Sequence, residues 1–181
     1  MVRGDASAPR GCEAMTEPRY EPLDGLRVLT ENRVRFVVIG GAAGNLHGST
    51  SVTNDLDICY ARDPLNYARL VKALRSVNAR LRGVEDDVPF ILDEKTIEMG
   101  DHFTFVTDVG DLDILGTPKG VEKYEELERV SREMDLGGFS VRVASMDDLI
   151  AMKRAAGRPK DLIELEILGA LREELEERGD L

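Results

Sequence analysis

Tryptophan is absent from this 181-residue chain and aromatic residues make up only 5% of it, so any core has to be assembled mainly from Leu, Val and Ile. Cysteine is scarce as well: Cys12 and Cys59 supply neither a disulfide framework nor a zinc site, and Cys59 reads as a buried structural thiol. Nowhere do about 18 apolar residues run together, which excludes an ordinary membrane-spanning helix. The N-terminal segment has no continuous apolar stretch of the secretory type, so a cytoplasmic location without a membrane partner is expected. Positive charge is also short. The 24 Lys and Arg residues face 35 Asp and Glu, and the resulting net charge of −11 repels nucleic acid except at a local basic patch. Histidine occurs only as His47 and His102, and His102 has no second metal-type ligand arranged around it. His102, at a strand start, is the weaker site candidate, and His47 reads as structural or exposed.

What is present fits one domain. The length and a hydrophobic fraction of 42% suffice for a single sizeable core. Residues 1–20 carry Gly, Pro, Ser and alternating charges with no apolar period, and they read as a disordered tail in which Met15 is an alternative start. Residues 21–181 read as one α/β unit: a mixed β-sheet flanked by helices, with C-terminal helices packed on it.

The most telling stretch runs from Ile39 to Cys59. Phe36-Val37-Val38-Ile39 is a short β-branched apolar run ending at Gly40-Gly41, which predicts a buried strand, a glycine turn and then a helix. Farther on, Asp55-Leu56-Asp57-Ile58 alternates, so that on a strand both carboxylates lie on one face. Converging carboxylates repel and raise each other's pKa unless a cation sits between them. The cation expected is magnesium, a hard ion commonly held by one or two carboxylates together with substrate phosphates. Glycines without Cβ atoms let backbone amides approach phosphate oxygens, and the following helix start favours anions. Each feature alone has a plain alternative, a turn or a solvated strand end.

In fixed order, however, strand, Gly-Gly, helix and Asp-Leu-Asp-Ile resemble the signature of the nucleotidyltransferase superfamily related to DNA polymerase beta. That resemblance implies a third carboxylate on a neighbouring strand. Asp108-Val109-Gly110 reads as a tight turn between strands His102–Thr107 and Asp111–Leu115. Asp111 and Asp113 share a face; Asp113 lies deeper and is the expected third ligand, and the resemblance makes it the general base. Asp55, Asp57 and Asp113 around two Mg²⁺ ions would support attack of a hydroxyl on the α-phosphate of a nucleoside triphosphate, with pyrophosphate leaving.

Near the C-terminus, Ser145 caps a predicted helix with Asp147 and Asp148 in its first turn. Lys153, Arg154, Arg158 and Lys160 then place four cations in eight residues without an acid. They suit either a triphosphate or simply a helix C-terminus near Gly157 and Pro159. The segment is similar to the C-terminal motif of AbiEii-type toxin nucleotidyltransferases, which implies that Lys153 and Asp161 are needed for activity and that Arg158 and Lys160 contact the nucleotide. Gly40, Gly41, Ser49 and Ser51 complete the expected nucleotide contacts. The chain departs from that pattern at Ser51-Val52-Thr53-Asn54-Asp55, where relatives often carry an arginine ahead of the first aspartate. The resemblance further implies a toxin held by a cognate antitoxin protein, with an RNA acceptor, the 3′ end of tRNA. Two alternatives stay open: modification of a small molecule, as in antibiotic nucleotidyltransferases, and a non-catalytic nucleotide-binding or antitoxin-like module.

Elsewhere the pattern predicts a helix from Pro64 to about Val77 with Leu65, Ala68, Leu70, Val71 and Leu74 inward. It predicts a strand over 88–92, a helix over 121–130 and a hairpin over 132–143 turning at Gly137-Gly138. A last helix carries Leu162, Leu165, Leu168, Leu171 and Leu175 as its packing stripe and ends in a solvated acidic face.

Overall fold

Four consecutive buried residues, Phe36 to Ile39, form β1 (Phe36–Ile39) and lie at the middle of the fold. A strand buried on both faces needs neighbours on each edge and a layer on each side. The computed structural model supplies both; it describes residues 22–84 and 90–179, with Lys160 described by its backbone alone.

Around β1 the chain runs α1 (Pro22–Glu31), α2 (Gly40–Leu46), β2 (Asp55–Tyr60), α3 (Pro64–Ser76) and β3 (Arg80–Leu81). It continues through α4 (Glu94–Met99), β4 (His102–Thr107), β5 (Gly110–Leu115) and α5 (Tyr124–Val130). β6 (Arg132–Asp135), β7 (Ser140–Val143), α6 (Met146–Ala156) and α7 (Pro159–Arg178) complete it. Among the described residues the strands form one seven-stranded mixed sheet in the order β3-β4-β5-β2-β1-β7-β6. β2 is antiparallel to β1 and parallel to β5, and β1 is parallel to β7. The expected mixed α/β sheet flanked by helices is therefore present.

Strand alternation divides the sheet into two chemistries. Leu56, Ile58, Leu112 and Ile114 are buried on one face, where α1 and α3 pack. α1 comes so close that a Cβ on Gly25 would stand 3.1 Å from Leu56. Asp55, Asp57, Asp111 and Asp113 point to the other face, beneath α6. α7 rests on α2, where a Cβ on Gly44 would meet Leu168. The His47 ring donates from Nε2 to the Ala144 carbonyl at 2.8 Å, tying the end of α2 to the start of α6.

Helix boundaries follow local chemistry. Asp63 caps α3 by accepting from the Asn66 amide at 3.0 Å, with Pro64 in the first turn. Ser145 caps α6 by accepting from the Asp148 amide at 3.1 Å, and Gly157 ends it in the left-handed region at φ 64°. Ser145→Ala is expected to cost about 1 kcal/mol. A thermal melt that fails to move would show that the Asp148 amide finds water instead.

Several expectations need correction. In α3 the inward set begins with Asn66 and Tyr67, and Leu65 is 61% exposed, because the helix phase set by the Asp63 cap turns it outward. Of the expected strand over 88–92, residues 90–92 are in no strand and run straight into Asp93, which caps α4 by accepting from Thr96; 88 and 89 lie outside the described residues. The sheet edge is instead the two-residue β3, paired with β4. The helix after Gly120 starts only at Tyr124, since Val121 closes a turn by donating to the Pro118 carbonyl. In α7, Leu168 is buried and Leu165, Leu171 and Leu175 are partly so, but Leu162 is 65% exposed and stands outside the packing stripe. The expected tail over 1–20, with Cys12, lies outside the described residues.

Candidate active site

The glycine pair and the first two aspartates meet because β1 and β2 are antiparallel neighbours that place Ile39 opposite Asp57. The chain leaves β1 through Gly40 at φ +66°, a conformation costly for any residue with a Cβ. A Cβ at Gly40 would in addition overlap the Asp57 carboxylate, and one at Gly41 would stand 2.7 Å from Thr53. The pair thus leaves room for a carboxylate and a hydroxyl pressed against backbone. Thr53 donates to Asp55 Oδ1 at 3.2 Å or to the Asp55 carbonyl at the same distance.

The third carboxylate arrives by strand register. β2 and β5 run parallel with Asp55 beside Asp111 and Asp57 beside Asp113. Neighbouring strands are about 4.8 Å apart, so same-face carboxylates at paired positions are in each other's field. The consequence is visible at Asp57: burial first, then the charges of Asp55 and Asp113, push its pKa to about 7 despite opposing pull from Lys153 and Arg158. Asp113 is also raised, mainly by burial, with Arg82 opposing. As expected, Asp113 is the deeper of the hairpin pair, its side chain 11% exposed against 31% for Asp111.

Arg82, just after β3, was not anticipated. Its guanidinium donates to Asp111 Oδ2 at 2.8 Å and to Asp113 Oδ1 and Oδ2 at 2.8 and 3.0 Å, joining the two carboxylates of β5. Nothing in the sequence spacing links Arg82 to those aspartates; the link exists only through the pairing of β3, β4 and β5. Among the described residues no group of three or more His, Cys, Asp or Glu side chains is preassembled to hold a metal. Asp113 is engaged by a guanidinium instead. The donor set nevertheless fits a hard cation: Asp55 and Asp57 offer carboxylate oxygens on one strand face, and a cation would favour the ionised form of Asp57 that burial and the neighbouring carboxylates disfavour.

Over the carboxylates stands the α6–α7 junction. Lys153 is paired with Glu164 and lies 3.7 Å from Asp161. Asp161 is fully buried and accepts from the Arg158 backbone amide at 2.9 Å and from its guanidinium at 2.9 and 3.2 Å, which holds its pKa down. It therefore fixes two cations in place while lining neither cavity of the site. Glu164, also unanticipated, lies one helical turn after Asp161, and that spacing was readable.

Two cavities open on this constellation. A polar cleft is lined by Gly41, residues 51–55, Asp57, His102, Asp113, Leu115, Lys153, Arg158 and Glu164. Beside it, an apolar chamber of about 280 Å³ shares Asp57, His102, Leu115, Lys153 and Arg158 with the cleft. Ser51 lines the cleft. Ser49 does not; its hydroxyl braces the loop by accepting from the Ser51 amide at 3.2 Å. His102, discounted from sequence, faces both cavities because β4 pairs it with Leu115. Cys59 is buried, with Sγ 3.8 Å from the Gly116 carbonyl. The Lys160 side chain lies outside the described residues.

Comparison with solved structures finds several low-identity similarities. This chain is similar to a candidate nucleotidyltransferase from Thermotoga maritima at 17% identity and a TM-score of 0.45, over 88% of this chain and 97% of that one. It is similar to the antibiotic-resistance factor ANT(2'')-Ia at 17% and 0.48, over 87% and 90%. A third likeness is to JHP933 from Helicobacter pylori, at 16% and 0.43 over 81% and 63%. No protein-family model matches the chain, and no curated protein matches its sequence. At such identities and TM-scores none of these neighbours transfers an activity to this chain. Among the described residues no helix is long and apolar enough to cross a membrane.

Proposed function

We propose that this chain is a magnesium-dependent nucleotidyltransferase that moves a nucleoside monophosphate from a nucleoside triphosphate to a hydroxyl acceptor. One observation carries the reading: parallel strands set Asp57 beside Asp113, with Asp55 on the same face, at the floor of a cleft that Lys153 and Arg158 also line. Paired carboxylates opposed by fixed cations suit a polyphosphate bound through metal.

Asp55 and Asp57 would hold the ion, with Asp113 alongside, and magnesium would supply charge neutralisation at the phosphate oxygens and acidify the attacking hydroxyl. Thr53 orients Asp55. Lys153 and Arg158, held by Glu164 and Asp161, meet negative charge on the triphosphate and on the departing pyrophosphate. Asp113, nearly buried and raised in pKa, is the side chain suited to take the proton of the acceptor hydroxyl.

The acceptor that the site supports best is a small molecule. Lys153 and Arg158 are each paired with an acid, Glu164 and Asp161, which leaves little of the unopposed positive charge that an RNA end needs. The toxin role and an antitoxin partner rest on the C-terminal motif alone.

Magnesium-dependent transfer from four α-phosphate-labelled nucleoside triphosphates into a cell extract tests this, with the Asp55→Ala/Asp57→Ala form as control. Label entering small molecules only with the intact protein is the expected result, and label in RNA would restore the tRNA-end acceptor. Identical labelling by both forms would overturn catalysis and favour a nucleotide-binding module.

A further inference from the structure

The two cavities divide the labour unequally. Take away the five residues that the chamber shares with the cleft, and its own walls are Gly40, Pro118, Lys119, Leu149, Met152 and Ala156. Among these there is no amide, hydroxyl or carboxylate side chain. Lys119 is the single polar one, and it lies exposed at the rim. At about 280 Å³ the chamber is at the small end of ligand pockets, which suits one ring system better than a polymer or a large polycation. The shared wall carries Lys153 and Arg158, so a ligand with an apolar head in the chamber projects an anionic tail across two fixed cations toward Asp57. A nucleoside triphosphate has that shape.

We infer that the chamber takes the base and sugar of the nucleoside triphosphate and grips them by shape rather than by hydrogen bonds, so that the protein discriminates weakly among bases. This rests on the nucleotidyltransferase reading and adds the specificity of its donor. Selectivity follows from the walls. Sites that hydrogen-bond a substrate group reject its analogues by factors of roughly 10⁴–10⁵, whereas apolar pockets separate close relatives by only about 10–200-fold. With Lys119 the one donor among the chamber's own walls, and His102, Lys153 and Arg158 on the wall shared with the cleft, the four nucleotides fall within about a hundredfold of each other in affinity.

The test is direct binding of ATP, GTP, CTP and UTP, and of inorganic tripolyphosphate, to the full chain in magnesium. Wild type is compared with Ala156→Phe, which fills the chamber, and with the surface variant Lys119→Met, which leaves packing untouched. Ala156→Phe is expected to weaken all four nucleotides by tenfold or more while tripolyphosphate stays within twofold. Lys119→Met is expected to change nucleotide affinities by less than tenfold. Nucleotide binding indifferent to a folded Ala156→Phe would place the base elsewhere. If that variant fails to fold, the wild-type ranking alone decides: a thousandfold preference for one base would overturn shape reading, and a spread within a hundredfold would uphold it. Absence of binding by nucleotides and tripolyphosphate alike would overturn the nucleotidyltransferase reading itself.

Discussion

Asp57→Asn is expected to lower nucleotidyl transfer by roughly a thousandfold, the order of effect for losing a ligand to a catalytic metal, and to raise the melting temperature of the metal-free protein at pH 8. Both effects have one cause. Asp57 is crowded by its burial and by Asp55 and Asp113, and its pKa stands near 7 rather than the usual 3.8. A carboxyl with a raised folded-state pKa favours folding most when protonated. Its contribution is fully present below about pH 4 and is lost as pH rises through about 7. Asparagine is isosteric and neutral at every pH, so the variant should lack that loss, and the two stability curves should part between pH 4 and 8. Magnesium reverses the order, because it stabilises the ionised form of the wild type and has little hold on the amide. Ion binding by wild type should therefore release a proton below about pH 7 and weaken as pH falls. Parallel melts across that range, with no difference in magnesium response, would remove Asp57 from the metal site.

The parts of the site legible in the sequence are those that local rules set. Asp55, Asp57 and the Gly-Gly turn are local: strand alternation sets the faces, and a short apolar run ending at glycine sets the turn. Asp113 was legible because a hairpin has its own turn signal and depth along a strand follows from it. The cap at Ser145 and the stop at Gly157 are equally local. What escaped was non-local or a matter of phase. Arg82 reaches Asp111 and Asp113 only because β3 lies two strands from β5 in the sheet order, which no spacing reveals. His102 looked unpromising as a lone histidine and gained its place from register with Leu115. Leu65 and Leu162 obeyed the apolar count but not the helix phase, which the Asp63 cap and the bond from the Arg158 amide to Asp161 set. Asp161 shows a third kind of difference. Resemblance marks it for activity, while its burial under Arg158 and Lys153 makes it a positioning residue for cations.

Arg82→Leu is expected to separate the structural from the catalytic part of this electrostatic arrangement. In the protein without metal, Arg82 is the cation of Asp113: it opposes the rise in pKa that burial imposes. Its loss leaves a nearly buried carboxylate without a partner. Fully buried pairs cost about 3–5 kcal/mol when broken and exposed ones about 0–1. Because the Arg82 side chain is about one-third exposed, the metal-free variant should lose an intermediate amount, about 1–3 kcal/mol at pH 8. The loss should shrink toward pH 5, since the folded-state pKa of Asp113 rises further without Arg82 and its protonated form then carries no unpaired charge. Transfer should respond in the opposite sense. Arg82 and a metal ion both seek the oxygens of Asp113, so removing the guanidinium should lower the magnesium concentration for half-maximal transfer by about tenfold, equivalent to about 1.4 kcal/mol. Thermal melts with and without magnesium, together with initial rates across a magnesium series, measure both. An unchanged magnesium requirement combined with a large loss of rate would give Arg82 a different task, contact with the substrate phosphates. A lowered requirement would identify it as the counter-ion that keeps three repelling carboxylates folded until substrate and metal arrive together.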